Sequence, residues 1–354
     1  MFTLKVAHKV IIGFGFIALL LLLSSGSALV SFSAVSRSSE LVNQQAVPVQ
    51  QQSNMAQIQL LKLAKLSALG YTADNAAAIS QYQQQFNIGS DALRVQLASL
   101  TQLTRNEPSF TQTLSTIDNH YQQYASAVSG MFSSHLNSIA LQRQVSDELK
   151  QLEQLIDNIG ANLLDISYLE LPGGEQQMEL IAGSANRIDG QLLGLLNTLK
   201  EVAGYTELTA AEAAGENISF ALSDMQGNLD YINNLVPEVG AEELWASFNE
   251  QLSLIKSRVA APDSLVAQKQ RQLEALAQAR QQLAASEQAV TQAVSALDQV
   301  LTGAGQQFSS LQDEMSGTLS FGTARTFVLM LVLIALSVNL LGDWLRDALN
   351  PRLR

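Results

Sequence analysis

The chain has 354 residues, 47% of them hydrophobic, with a net charge of −12 and no cysteine. The acidic balance speaks against nucleic acid, which is gripped by clustered Lys and Arg. Without cysteine there are no disulfides, thiolate nucleophiles or cysteine metal sites. Aromatics are scarce at 6%, while Ala, Leu, Gln and Ser abound, a balance that favours helix over sheet.

The first predicted element is an apolar run, "VIIGFGFIALLLLLSSGSALVSF", over residues 10–32. It approaches the ~20 residues that a bilayer core of ~30 Å requires. Lys5 and Lys9 precede it, and residues 1–9 are expected on the cytoplasmic side by the positive-inside rule. The small residues of "SGSA" would also suit a cleaved leader, but the apolar stretch is longer than a typical leader core. A second run, "TFVLMLVLIALSVNLLGDWL" over residues 326–345, is followed by Arg346, Arg352 and Arg354, with Trp344 at an interfacial position. Both ends are therefore expected in the cytoplasm, and residues 33–325 on the far side of the membrane.

Between the two runs the breaks are "GYTADN" (Gly70 to Asn75), "RNEPS" (Arg105 to Ser109), "LPGGE" (Leu171 to Glu175), "LVPEVG" (Leu235 to Gly240) and "AAPDS" (Ala260 to Ser264). Pro and Gly-Gly stop helices there, and Asp and Ser supply N-caps for the next ones. Apolar residues between breaks recur every three or four, as in Leu149, Leu152, Leu155, Ile156, Ile159, Leu163 and Leu164, a helical period. No run alternates like a strand.

Pro108 to Leu171 and Asp263 to Phe321 are long segments without internal proline. Each predicts a helix of about sixty residues, ~90 Å at 1.5 Å per residue. Shorter helices must cover such stripes. The expected fold is all-α: two stacked antiparallel four-helix bundles sharing two long helices, flanked by two transmembrane helices. A chain that leaves the membrane and returns makes an even number of passes. With a further break at "VAGYTE" (Val202 to Glu207), the tally comes out odd. One of Gly204 and Pro237 is therefore expected to be a kink or a ledge rather than a reversal.

No catalytic constellation emerges. His8, His120 and His135 have no second histidine at ligand spacing, and neither a phosphate loop nor a nucleophile motif is present. The reading is of a non-enzyme with no cofactor and no metal.

The order of transmembrane helix, helical external domain, transmembrane helix and basic amphipathic stretch resembles bacterial chemoreceptors and sensor histidine kinases. The long/short helix pattern is similar to the helical bimodular sensors of methyl-accepting chemotaxis proteins, and the trimethylamine-oxide sensor kinase has a similar two-bundle architecture. "LRDALNPRLR" resembles the entrance to a HAMP linker, so residues 346–354 are read as its start and the chain as an input half. At "AVPVQQQSNMAQIQLLKLAKLSALGYTADN" the chemoreceptor members carry a basic-x-x-basic pair that grips carboxylates. The resemblance thus implies ligand binding by Lys62 and Lys65. At i and i+3 they share a helical face, beside Ile58, Leu61 and Leu69, although lysine lacks arginine's bidentate fork.

The expected function is that of a chemoreceptor input module in the inner membrane, sensing a periplasmic small molecule such as an organic anion. The alternatives are the input half of a sensor histidine kinase that senses through a periplasmic binding protein, and a membrane-anchored scaffold. A homodimer is expected, because Ser24, Ser25, Gly26, Ser27 and Ala28 would let two first spans approach closely.

Overall fold

The computed structural model describes residues 6–105, 107–168, 175–239 and 242–349. The breaks in the sequence become helix boundaries: α1 (Val6–Leu41), α2 (Val47–Thr72), α3 (Ala76–Leu103), α4 (Pro108–Ser167), α5 (Glu175–Gly204), α6 (Leu208–Val239), α7 (Glu242–Ala260) and α8 (Leu265–Leu349). No strand occurs among the described residues. α4 is 60 residues long and α8 is 85. Asn75 Oδ1 accepts the Ala78 N–H at 2.9 Å to cap α3, and Ser264 Oγ accepts that of Ala267 at 3.4 Å to cap α8. Between α1 and α2 lies a π-helical turn, Val42–Ala46, whose closing bond runs from the Val47 N–H to the Val42 carbonyl. Pro48 follows at once. Its ring has no N–H to donate, and the wider turn absorbs the misfit without breaking the helix.

The helices divide between two compact units. The first takes the chain up to Leu60, Asp91–His120 and the chain from Thr291 onward. Its core includes Leu93, Leu100, Ile117, Leu297 and Val300. Gly303 admits the Phe110 ring: an added Cβ would lie 2.9 Å from Phe110 Cε1. This unit also holds α1 and the last part of α8, the two helices among the described residues that are long and apolar enough to cross a membrane. Their apolar side chains face outward, with Phe14, Leu22 and Phe327 among the exposed ones. Outside a bilayer such a surface would be a large apolar patch in water.

The second unit comprises Leu61–Ser90 and Tyr121–Val290. One part of it is built on rings. Phe86 meets Tyr124 and Phe132 edge-on, at centroid distances of 5.7 and 6.0 Å. The Ser90 and Tyr121 hydroxyls are hydrogen-bonded at 2.5 Å. Gly70, a break in the sequence reading, lies within α2, which continues to Thr72. A Cβ there would overlap the Phe132 ring, so this glycine sets a close approach of α2 and α4. The other part is aliphatic. α4, α5, α6 and α7 enclose one cluster that includes Leu152, Ile159, Ile188, Leu192, Leu199, Met225, Ile232 and Phe248.

Side-chain pairs give the helix directions in this unit. Lys200 meets Glu153 and Asp189 lies beside Gly160, so α5 is antiparallel to α4. Arg187 with Asn228 and Gln191 with Asp224 make α6 antiparallel to α5. Trp245 with Asn233 and Lys256 with Gln226 reverse α7 on α6. α8 also runs against α4: Gln282 meets Ser134, whereas the earlier Lys269 reaches Ala203 at the α5 end adjoining Glu153.

These directions correct one expectation. The chain reverses after Gly204 and again after Pro237, which lies in the last turn of α6. Neither is a kink. Instead α7 and α8 point the same way, and Ala261–Ser264 is a jog without reversal. Pro262 interrupts the hydrogen-bond ladder there, and the Ser264 cap restarts it in the same sense.

Candidate functional site

Lys62 and Lys65 stand exposed on α2, together with Leu61 and Leu69, which are 54% and 37% exposed. Among the described residues no carboxylate is within ion-pair distance of either lysine. The structure places the pair on one helical face, as its spacing requires. Neither lysine lines the grooves described below.

Two adjoining grooves run between α5 and α6. The larger, of about 650 Å³, is polar and is lined by Gln176, Glu179, Ser184, Arg187, Asn228 and Tyr231 among others. The second, of about 290 Å³, includes Gln191, Gly194, Thr198, Asn217 and Asp224. The hairpin repeats polar contacts along its length: Gln191 donates to Asp224 at 2.6 Å and accepts from Asn228 at 3.1 Å. Arg187 donates to Asn228 at 3.5 Å. Two other bases of this region are engaged by acids, while Lys256 donates to the Gln226 amide. Lys200 pairs with Glu153 at 2.6 Å, and Arg258 with Glu148 at 3.4 Å. The Lys200 pair is half-exposed and solvent-screened, so it adds little stability. Of Arg187, Lys200 and Arg258, Arg187 is the one with no ion pair among the described residues.

Three buried polar groups have structural work. His135 lies in the core, with Nε2 2.9 Å from the Ala73 carbonyl and its ring beside Tyr71, so it ties down the α2–α3 turn. Tyr124 is fully buried, and desolvation pushes its hydroxyl pKa up. Lys269, only 5% exposed, donates to the Ala203 carbonyl at 3.0 Å, next to the end of α5. Its ammonium faces the negative end of that helix, while burial holds its pKa below the ordinary lysine value. Sequence reasoning missed Lys269. The signal was available, since it occupies a core position in the stripe Leu265, Val266, Lys269 and Leu273. No group of three potential metal ligands occurs among the described residues.

In the first unit, α1 and α8 enclose an apolar groove of about 530 Å³ whose lining includes Ser27, Ala28, Ser31, Gly322, Thr326 and Phe327. A Cβ on Gly322 would come within 3.3 Å of Ser31 Oγ. Ser27 and Ala28 thus face a helix of their own chain.

No protein-family profile matches the chain, and no curated protein matches it in sequence. Its fold is similar to that of the TorS sensor domain, solved in complex with TorT in the presence of TMAO. The TM-score is 0.54 at 10% identity, over 73% of this chain and 99% of that one. A second solved structure, the sensor domain of the V. parahaemolyticus histidine kinase sensor TorS, aligns over 78% of this chain and 99% of its own at 12% identity, with a TM-score of 0.44.

Proposed function

We propose that the chain is the input module of a transmembrane sensor of the histidine-kinase type, and that it senses through a soluble periplasmic binding protein. One observation carries this reading. The helical domain between two membrane-competent helices shares its fold with nearly the whole of a sensor domain that was solved with a protein partner. Such a similarity favours kinase input over chemoreceptor input, the first expectation from sequence. Binding outside would shift α8, one helix from Leu265 into the membrane segment, and helix displacements of about 1–2 Å suffice for signalling in other systems.

Direct sensing of an organic anion at Lys62 and Lys65 is the second reading, supported by two exposed cations without acid partners. Assembly as a homodimer, with domain boundaries at 10–32, 33–325 and 326–345, belongs to the same proposal. To separate the two readings, the full chain in nanodiscs is titrated with purified periplasmic binding proteins, each with and without its ligand, and with organic acids and TMAO alone. The proposal expects ligand-dependent binding of a protein and an unchanged melting temperature with small molecules alone. Stabilisation by an organic acid that is lost in the Lys62→Gln, Lys65→Gln double variant would establish direct sensing instead.

A further inference from the structure

α6 carries five acids, Glu212, Glu216, Asp224, Asp230 and Glu238, and no Lys or Arg. Its inner side fills the aliphatic core through Ile218, Met225, Leu229 and Ile232. Its outer side is uncovered. Glu216, Phe220, Asp224, Gly227 and Tyr231 follow one another at steps of four, four, three and four, so they share one face. Phe220 is 77% exposed and Tyr231 47%. The Phe220 ring thus stands largely uncovered by the described residues, at the centre of an acidic, small-residue face. Gly227 and, on α5, Gly183, Gly190 and Gly194 have open space where a side chain would be, although glycine weakens a helix relative to alanine.

We propose that this outer face of α6, with the α5–α6 grooves beside it, is the docking surface for a soluble protein that presents a basic rim around an apolar pocket for Phe220. The inference rests on the reading that a soluble periplasmic protein engages this domain, and it names the surface and the partner's chemistry. Charge selects the occupant. The five acids of α6 outnumber the flanking bases, Arg187 of α5 and Lys256 of α7, so a second copy would bring one net acidic surface against another and an anionic lipid surface would be repelled in the same way, whereas a basic protein surface is attracted and steered. Area is sufficient. Helices of 30 and 32 residues at 1.5 Å per residue are about 45 Å long. Packed side by side they offer a face about 20 Å wide, hence roughly 900 Å² against the ~800 Å² that a standard interface takes from each partner. An exposed aromatic ringed by polar residues is also the usual form of an energetic anchor.

The test uses the full chain in its own membrane, with photoreactive p-benzoylphenylalanine at position 223, beside Phe220, or at position 88 on α3. Crosslinked species are identified by mass spectrometry. The soluble protein found is then purified and titrated against the chain in nanodiscs. The expected result is a crosslink at 223 and not at 88. Affinity should fall about tenfold or more in Phe220→Ala. It should also fall in the Glu212→Lys, Glu216→Lys double variant, and the unsubstituted chain should bind more weakly as salt rises. Gly227→Leu should block docking while leaving the melting temperature unchanged or raised, which separates docking from folding. A partner that crosslinks at 88 and ignores the 220 and 227 variants overturns the docking face but leaves the binding-protein reading intact. No soluble protein at either position overturns both. A second copy of the chain or lipid at 223 overturns the proposal.

Discussion

Glycines in two parts of the second unit sit in helices for opposite reasons. At Gly70 and Gly130 the missing side chain is replaced by a neighbour, the Phe132 ring in one case and the Gln282 amide in the other. At Gly183, Gly190, Gly194 and Gly227 nothing of the chain fills the space. The ring-built part, with Phe86, Tyr124 and Phe132 interlocked, draws its stability from tight complementarity. In the aliphatic part between α4 and α7 the core is just as dry, yet its outer helices forgo helix propensity without an internal gain. These glycines leave the outer surface of α5 and α6 open, as the proposed docking face requires.

Phe132→Ala removes a fully buried ring against which Phe86 packs edge-on and should cost about 3–5 kcal/mol in chemical denaturation. Gly70→Ala should destabilise by about 1–3 kcal/mol, because overpacking against Phe132 outweighs the gain in helix propensity. An unchanged or higher midpoint would show that the two kinds of glycine do not differ.

Lys269 sharpens the contrast through pH. Its pKa is lowered by burial from an ordinary 10.5, so between that lowered value and 10.5 the unfolded chain binds more protons than the folded one. Stability from this group is therefore lowest where the ammonium is charged in both states, and it rises as pH climbs through that interval. Unfolding midpoints compared between pH 7 and pH 10 should show that upward contribution in the unsubstituted chain and lose it in Lys269→Met. The smallest effect has the opposite sign to that of Gly70: Gly190→Ala and Gly194→Ala should each stabilise by roughly 0.5–1 kcal/mol.

Much of the helical organisation was legible in the sequence, because Pro108, Asn75 and Ser264 act on the backbone next to them. Direction was not legible. A proline and a cap report that a helix ends and another begins, but Ala261–Ser264 and the break after Gly204 look alike until Arg258 meets Glu148 and Lys269 meets Ala203. The same holds for the site. Lys62 and Lys65 were visible by spacing, yet the face of α2 that neighbours cover depends on contacts distant in sequence, such as Phe132 at Gly70. The α5–α6 surface required both helices at once, since Arg187 and Asn228 are 41 residues apart.

The central claim is that the helical domain stands outside the membrane, between two spans. The chain has no cysteine, so single introduced thiols report without background. In intact spheroplasts a membrane-impermeant maleimide should label Phe220→Cys fully and leave Thr3→Cys unlabelled until the membrane is opened. Labelling of position 3 in intact cells, or protection of position 220, would contradict the claim.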